Sequence, residues 1–497
     1  VSWQTDWIYS RARMTPNSIA ISDPDTGERW TFQEMNSRAN KLAVYLQSIG
    51  VSKGDRVALL SPNDVSYFDL FFACGKLGAI FVPMNWRLAG EELEYILSDC
   101  EPRVLFYHKE VRNIIMGLKR RSLVEVTGNE YKTIMKIGFQ NYEEQWVGEN
   151  DPVAILYTGG TTGKPKGVVL THQNIFYNMI NTITSWSLTS SDATLTYLPM
   201  FHTGGLNALS MPVLHVGGKV IIGRKFNPEE AIQRINNEKC TVILLVPTMY
   251  HSLINSEAFQ QSAFPTMHTF LSGGAPCSYT IYQAFNKKGL LFKEGYGLTE
   301  AGPNNFFLNP DSVLSKRGSV GKPMLYNQVA IMKENGTEAA EDEVGELLIK
   351  GNHVFSYYWN NEEVTKKTIV DEWLHTGDLS KKDSEGYYYI VGRKKDMIIT
   401  GGENVYPLEV EHVIAEHDLV DEVAVVGLPD EKWGEVVTAF IVRKQQGTVL
   451  EEEITTFCQK KLGKYKVPKK IIFLEELPKT DVGKIDKKAL RSNVEKA

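Results

Sequence analysis

Cysteine is scarce in this 497-residue chain, and the five present (Cys74, Cys100, Cys240, Cys277, Cys458) form no CxxC pair and no metal-ligand spacing. An odd, scattered set of thiols excludes a disulfide framework and points to reduced, packed residues in the cytoplasm. Long apolar runs are missing too. The longest, from Tyr67 to Val82, is broken by Asp69 and Lys76, which disfavours it as a membrane span of roughly 20 residues. The amino terminus, Val1-Ser-Trp-Gln-Thr-Asp, has no basic stretch leading into an apolar one, so no secretory signal is expected. An excess of positive charge is also absent: 54 Lys+Arg stand against 60 Asp+Glu, a net charge of −6. A dedicated nucleic-acid binder would be basic, and that class is set aside. No low-complexity tract and no repeat at a period of about 20–50 residues is visible.

What is present is ordinary globular composition, 42% hydrophobic and 23% charged, in a chain too long for one core. Short apolar runs such as Arg56–Leu60, Val153–Tyr157, Lys219–Ile222 and Thr241–Leu245 read as buried strands. Amphipathic stretches near 32–49, 171–185, 228–238 and 278–288 read as helices between or after them. That alternation predicts an α/β architecture with partly parallel sheets. After about residue 395 the pattern becomes a smaller α+β one, and a domain boundary is expected between 1–395 and 396–497.

The segment richest in chemistry is Tyr157-Thr-Gly-Gly-Thr-Thr-Gly-Lys-Pro-Lys-Gly167, directly after a predicted strand. Glycines let backbone N–H groups close on an anion, threonines add hydroxyl donors, and lysines add positive charge. These are the needs of a polyphosphate-holding loop. It is not a Walker A loop, because Gly163-Lys164 is followed by Pro165 and the earlier glycine of that pattern is Thr158. A Rossmann fingerprint fails as well: Gly295-Tyr-Gly297 meets Glu300 where a third glycine is required.

Together with Gly295-Tyr-Gly-Leu-Thr-Glu300, His375-Thr-Gly-Asp378, Gly392-Arg-Lys-Lys-Asp396, Gly401-Gly-Glu-Asn404 and Lys479-Thr-Asp-Val-Gly-Lys484, in that order along the chain, this loop resembles the acyl-adenylate-forming enzymes. The resemblance covers nearly the whole chain. It implies a large amino-terminal domain of layered αβ sheets, a small α+β carboxy-terminal domain, and a hinge between them. It also implies a reaction: a carboxylate attacks the α-phosphate of ATP, pyrophosphate leaves, and a thiol then takes the acyl group from AMP.

By the same resemblance, Thr158, Thr161, Thr162, Gly163 and Lys166 would hold ATP phosphates, with Thr299 adding a hydroxyl and Glu300 holding Mg²⁺. Asp378 and Arg393 would bind the ribose. Tyr296 and Gly297 would face adenine opposite the strip Gly274, Ala275 and Pro276. Lys484 would be the catalytic lysine of adenylation, and His202 a gate between acyl pocket and thiol channel. Asp396 matches the hinge, and Gly401, Gly402 and Glu403 would line the channel for the thiol arm. One departure is visible: the family's phosphate loop begins Thr-Ser-Gly, and Gly159 stands in the serine's place.

Few residues follow Lys484, which argues against a fused carrier domain, and Ile399 stands where luciferases carry lysine. Coenzyme A is therefore the expected thiol, with a fatty acyl-CoA synthetase as the nearest pattern. A medium- to long-chain fatty acid leads as substrate, and an aryl acid such as succinylbenzoate, or a stand-alone enzyme loading a carrier protein, is the alternative. Pocket walls are expected within 201–206, 247–251 and 295–306, with Phe201, Tyr250, Phe306 and Phe307 available. Expected partners are a small carboxylic acid and no nucleic acid, while peripheral membrane contact and homo-oligomerisation stay open. Residues 460–491 hold eleven basic and four acidic side chains. That segment either draws the polyanions ATP and CoA or is a solvated face.

Overall fold

The structure, a computed structural model, describes residues 5–119, 122–137, 142–143, 145–159, 164–444, 449–480 and 484–495, the side chains of 493–495 aside. A seven-stranded sheet runs in the order Tyr357–Tyr358, Lys166–Thr171, Pro152–Thr158, Ile80–Met84, Arg56–Leu60, Val104–Tyr107, Leu123–Glu125. The five strands from Pro152–Thr158 onward pair in parallel, and the two before them are antiparallel. Parallel strands need crossovers, and the helix Ser66–Leu77 supplies one, between Arg56–Leu60 and Ile80–Met84. All twelve of its residues are buried, and Gly78 ends it in the left-handed conformation, φ 67°. This is the apolar run seen in the sequence.

Its two charges are neutralised inside the protein. Lys76 donates to both oxygens of Asp6 (2.9 and 2.8 Å), and Asp69 accepts two bonds from Arg38 and one from the Tyr131 hydroxyl. Removing one partner of such a buried pair costs about 3–5 kcal/mol, because the other charge is left without compensation.

A second sheet, Glu28–Thr31, Ile19–Asp23, Lys219–Ile222, Ala193–Thr196, is parallel except for its first pair. A third, Val242–Leu245, Thr269–Ser272, Phe292–Glu294, is wholly parallel. The expected helices lie beside these sheets as Phe32–Ser48, His172–Trp186, Pro228–Asn237 and Tyr279–Lys287. Local chemistry sets where they begin. Thr31 and Glu34 form a reciprocal capping box, as do Thr171 and Asn174, and Asn227 caps a helix that has Pro228 in its first turn.

An antiparallel sheet of Gln328–Met332, Gly345–Lys350, Trp373–Lys382, Ile369–Val370 and Tyr388–Arg393 ends the large domain. From Ile398 the chain enters another five-stranded sheet, built on the long hairpin of Val420–Asp430 and Gly434–Arg443 with helix Pro407–Ala415 beside it. Two clusters of buried apolar side chains draw only on residues from Ile398 onward, while three others draw only on residues up to Ile390. The protein is thus a large α/β domain followed by a smaller α+β domain with its own core.

Candidate active site

Strand register creates the first part of the site. Asp378 on Trp373–Lys382 lies directly opposite Arg393 on Tyr388–Arg393, and the guanidinium Nε donates to the carboxylate at 2.8 Å. The other carboxylate oxygen accepts from the Tyr296 hydroxyl at 2.6 Å. Asp378 is 4% exposed. Burial raises its pKa, and Arg393, the Tyr296 hydrogen bond and Lys484 pull the other way. A carboxylate already held by two donors is fixed in direction and still has lone pairs for a diol.

The Gly295–Glu300 loop leaves the end of strand Phe292–Glu294. Gly297 is required by packing, since a Cβ there would lie 2.1 Å from the Pro303 carbonyl oxygen. Buried amides clamp the loop's return: the Asn305 backbone N–H donates to the Tyr296 carbonyl, and Asn304 donates to the Thr182 hydroxyl and to the Ala208 carbonyl. Thr299 is buried in a short 3-10 turn that also carries Glu300. The Glu300 carboxylate accepts from the Tyr358 hydroxyl at 2.8 Å, and the Lys166 ammonium sits 5.2 Å from the centre of the same tyrosine ring.

Across the hairpin, Thr158 is the register partner of Lys166, so both stand at the base of the glycine-rich loop. Thr161, Thr162 and Gly163, three of the expected phosphate-binding residues, lie outside the described residues. Gly274, Ala275 and Pro276 form an exposed strip after strand Thr269–Ser272, with Gly274 at φ 85°. Cys277 next to them is buried, its thiol bonded to Ser272.

Lys484 reaches into this crevice from the small domain. Its Cε lies 3.4 Å from where a Cβ on Gly274 would stand. Solvent still touches the side chain, but the walls of the crevice desolvate it and, with the Arg393 charge, lower its pKa against the pull of Asp378. His202 faces the same ammonium. Burial first, then the Lys484 charge, lowers its pKa to about 4, so the imidazole is neutral at physiological pH. The structure therefore brings Lys484, His202, Gly274, Asp378, Arg393 and Tyr296 to one crevice.

Gly401, Gly402 and Glu403 lie elsewhere, on the exposed turn of the hairpin Ile398–Thr400 and Glu403–Val405. There the Gly401 N–H donates to the Trp433 carbonyl at 2.8 Å. Asp396 ends the short turn Lys394–Asp396 between the two domains and accepts from Arg491 at 3.2 Å.

One expected wall residue is placed differently. Tyr250 is fully buried, bonds the Leu271 carbonyl, and packs edge-on against Phe285 and Phe292 in the core. Sequence reasoning also missed Tyr358 and the Asn304–Asn305 pair. A polar pair directly after the Gly-Pro of a glycine-rich loop was the available signal for the latter; Tyr358 gave none.

The domains also meet at His251 and Asp421, whose side chains are 3.0 Å apart. The Asp421 hydrogen bond raises the His251 pKa, and His251 lowers that of Asp421. The pair thus holds this arrangement fully below the ordinary histidine value of about 6.5, and its contribution fades as pH rises through the raised one. Both side chains are roughly a third exposed, so the effect is below about 1 kcal/mol. Limited proteolysis of the interdomain segment should separate wild type from Asp421→Asn at pH 6 and fail to do so at pH 9. A separation unchanged with pH would assign the contact no titrating role.

A buried carboxylate oriented by two donors, with a lysine brought beside it by a second domain, is the arrangement of an adenylate-forming enzyme. The AMP-binding enzyme family model matches residues 8–359, and the model of the AMP-binding enzyme C-terminal domain matches 409–484. The chain belongs to the AMP-binding enzyme family and is an acid–CoA ligase, using ATP and CoA. It is 36% identical over 485 residues to a feruloyl-CoA synthase of Amycolatopsis sp, covering 98% of both chains. It is 36% identical over 499 residues to the long-chain-fatty-acid–CoA ligase FadD13 of Mycobacterium tuberculosis, covering 97% of both. ATP-bound MatB from Rhodopseudomonas palustris shares the fold at TM-score 0.90 and 31% identity over 98% of both chains. No helix among the described residues is long and apolar enough to cross a membrane.

Proposed function

We propose that this crevice adenylates an extended carboxylic acid and that the small domain, turning at Asp396, then admits CoA to form the thioester. The observation that carries the reading is the approach of Lys484 to Gly274, Asp378 and Arg393 across the domain junction. The chain divides, in this reading, into residues 1–395 and 396–497.

The placement of the residues supports the following roles. Asp378, oriented by Tyr296 and Arg393, accepts from both ribose hydroxyls. The strip Gly274–Pro276 and the Tyr296 ring bracket the base. Thr158, Thr299 and Lys166 face the phosphates. Among the described residues no three His, Cys, Asp or Glu side chains cluster to hold a metal. Mg²⁺ needs no such cluster, since it typically binds one or two carboxylates together with substrate phosphate oxygens and water. Glu300, steadied by the Tyr358 hydroxyl, is the fitting ligand. Bound there, Mg²⁺ would supply charge neutralisation to the phosphates.

Lys484 offers an ammonium to the carboxylate and the α-phosphate at once, where charge redistributes as the mixed anhydride forms. His202, neutral and half-buried at the start of Thr203–Leu206, stands as a swinging wall rather than a charged one. Five free thiols, all buried, support a reducing compartment such as the cytoplasm.

Two classes of acid fit the apolar walls, a medium- to long-chain fatty acid and an aryl acid, and both feruloyl- and fatty-acid-directed names occur among the relatives. AMP release should be measured over a panel of both classes, with and without CoA and with EDTA. Release is expected to require acid, Mg²⁺ and CoA together. Pyrophosphate exchange without CoA-dependent turnover would instead indicate an enzyme that loads a carrier protein.

A further inference from the structure

Lys293 is 4% exposed, and among the described residues its ammonium has neither an ion pair nor a hydrogen bond. Its close neighbours are two rings: the ammonium lies 5.0 Å from the centre of Trp186 and 5.0 Å from that of Phe307. Cation–π contact offsets about 2 kcal/mol when desolvated, less than the several kcal/mol that burying an ion costs. Burial accordingly lowers the Lys293 pKa to about 8. The indole N–H of Trp186 is also buried and bonded to nothing among the described residues. Two neighbouring side chains thus each carry a donor with no acceptor among the described residues.

Strand register puts Lys293 on the sheet face that leads to Gly273 and Gly295, next to Gly274 and Tyr296 of the crevice. Side chains alternate along strand Phe292–Glu294: Phe292 and Glu294 face the core at Tyr282, and Lys293 faces the other side, in register with Leu271 and Leu244. On that side Gly273 and Gly295 carry no side chain. A Cβ at Gly273 would find only Leu244 within 4 Å among the described residues. Two residues of strand, roughly 7 Å, separate the Cα atoms of Lys293 and Gly295, about the span of one aromatic ring. Trp186 closes the space from the helix whose Thr182 holds Asn304, and Phe307 closes it from the residue after Phe306, which packs against Tyr296.

We propose that Lys293, with the Trp186 N–H, forms the far wall of the acyl pocket and selects acids that carry an oxygen acceptor at their distal end. This rests on the acid–CoA ligase reading above. A phenolic oxygen and a second carboxylate share the required chemistry. An unsubstituted tail would leave both donors buried without a partner, the arrangement that gives hydrogen-bonding sites their selectivity.

The test uses two matched pairs of acids, 4-hydroxycinnamic against cinnamic and octanedioic against octanoic, in CoA-dependent AMP release by wild type, Lys293→Met, Lys293→Arg and Trp186→Phe. Wild type should favour the oxygenated member of at least one pair by about tenfold or more in kcat/KM. The pair that shows it identifies the acceptor. Lys293→Met should bring that ratio below about threefold, by raising KM for the oxygenated acid and lowering it for the plain one, and Lys293→Arg should retain it. Should Lys293→Met fail to fold, Trp186→Phe, which keeps an aromatic ring and removes the N–H donor, decides by the same ratio. A wild type indifferent in both pairs, or a preference that survives both Lys293→Met and Trp186→Phe, overturns the proposal and leaves the ligase reading intact. AMP release from no acid at all overturns both.

Discussion

Replacing Lys484 with alanine should cut adenylation of the acid by at least about 10²-fold, the scale for removing one preorganised donor to a developing charge. Thioester formation from supplied acyl-AMP should fall by less than about threefold. The asymmetry has a structural origin. Lys484 touches the crevice only through the small domain's approach, beside Gly274 and within the fields of Asp378 and Arg393. In the proposed reaction its ammonium would be needed where carboxylate and phosphate, both anions, must meet. Once the anhydride exists, that repulsion is gone. Lys484→Arg would keep the charge but place a planar fork where a compact ammonium fits, so rescue should be poor. The two half-reactions are read separately, by pyrophosphate exchange and by acyl-CoA formation from the adenylate. Equal losses in both would remove Lys484 from the adenylation step.

The basic segment at 460–491 changes meaning with the structure in hand. Lys461, Lys466, Lys479, Lys487 and Arg491 are paired with Glu416, Glu409, Glu422, Glu411 and Asp396. Five of its eleven positive charges are thus answered within the small domain and its approach, which lessens any long-range pull on ATP or CoA. Lys484 shows no carboxylate within ion-pair distance among the described residues, and in that it differs from these five.

The fold was legible where periodicity is strong. The strands around Val57, Ile155, Val220 and Ile243 and the helices beside them lie within a residue or two of their expected ends, because apolar period and capping residues agree there. Order of strands was not legible, since Tyr357–Tyr358 joins Lys166–Thr171 from far along the chain. Site residues were legible as motifs only. That Asp378 faces Arg393 follows from a register no local pattern encodes. Tyr358 reaches Glu300 by the same long return. Tyr250 misled for a related reason: an aromatic beside a predicted wall is as easily turned into the core, and its hydroxyl found the Leu271 carbonyl there. Nothing in the sequence singled out Lys293; burial shows its ammonium without an acceptor among the described residues.

Asp396→Pro should reverse the pattern of Lys484→Ala, lowering thioester formation by at least about tenfold while leaving pyrophosphate exchange within about threefold of wild type. Asp396 stands where the sheet of the large domain has ended at Arg393 and that of the small domain has yet to begin at Ile398. In the proposed reading a rotation here would move the small domain as one body, carrying Lys484 out and the turn Gly401–Glu403 toward the crevice. Proline holds φ near −65° and removes that freedom. It also deletes the ion pair to Arg491, and Asp396→Ala separates the two effects. The pair is 3.2 Å long with both side chains partly exposed, worth at most about 1 kcal/mol, so Asp396→Ala should behave nearly as wild type in both half-reactions. Proline and alanine variants with the same defect would mean that the carboxylate, rather than rotation, is what the second step needs. Undiminished acyl-CoA formation in the proline variant would mean that CoA reaches the adenylate without any turn at this residue.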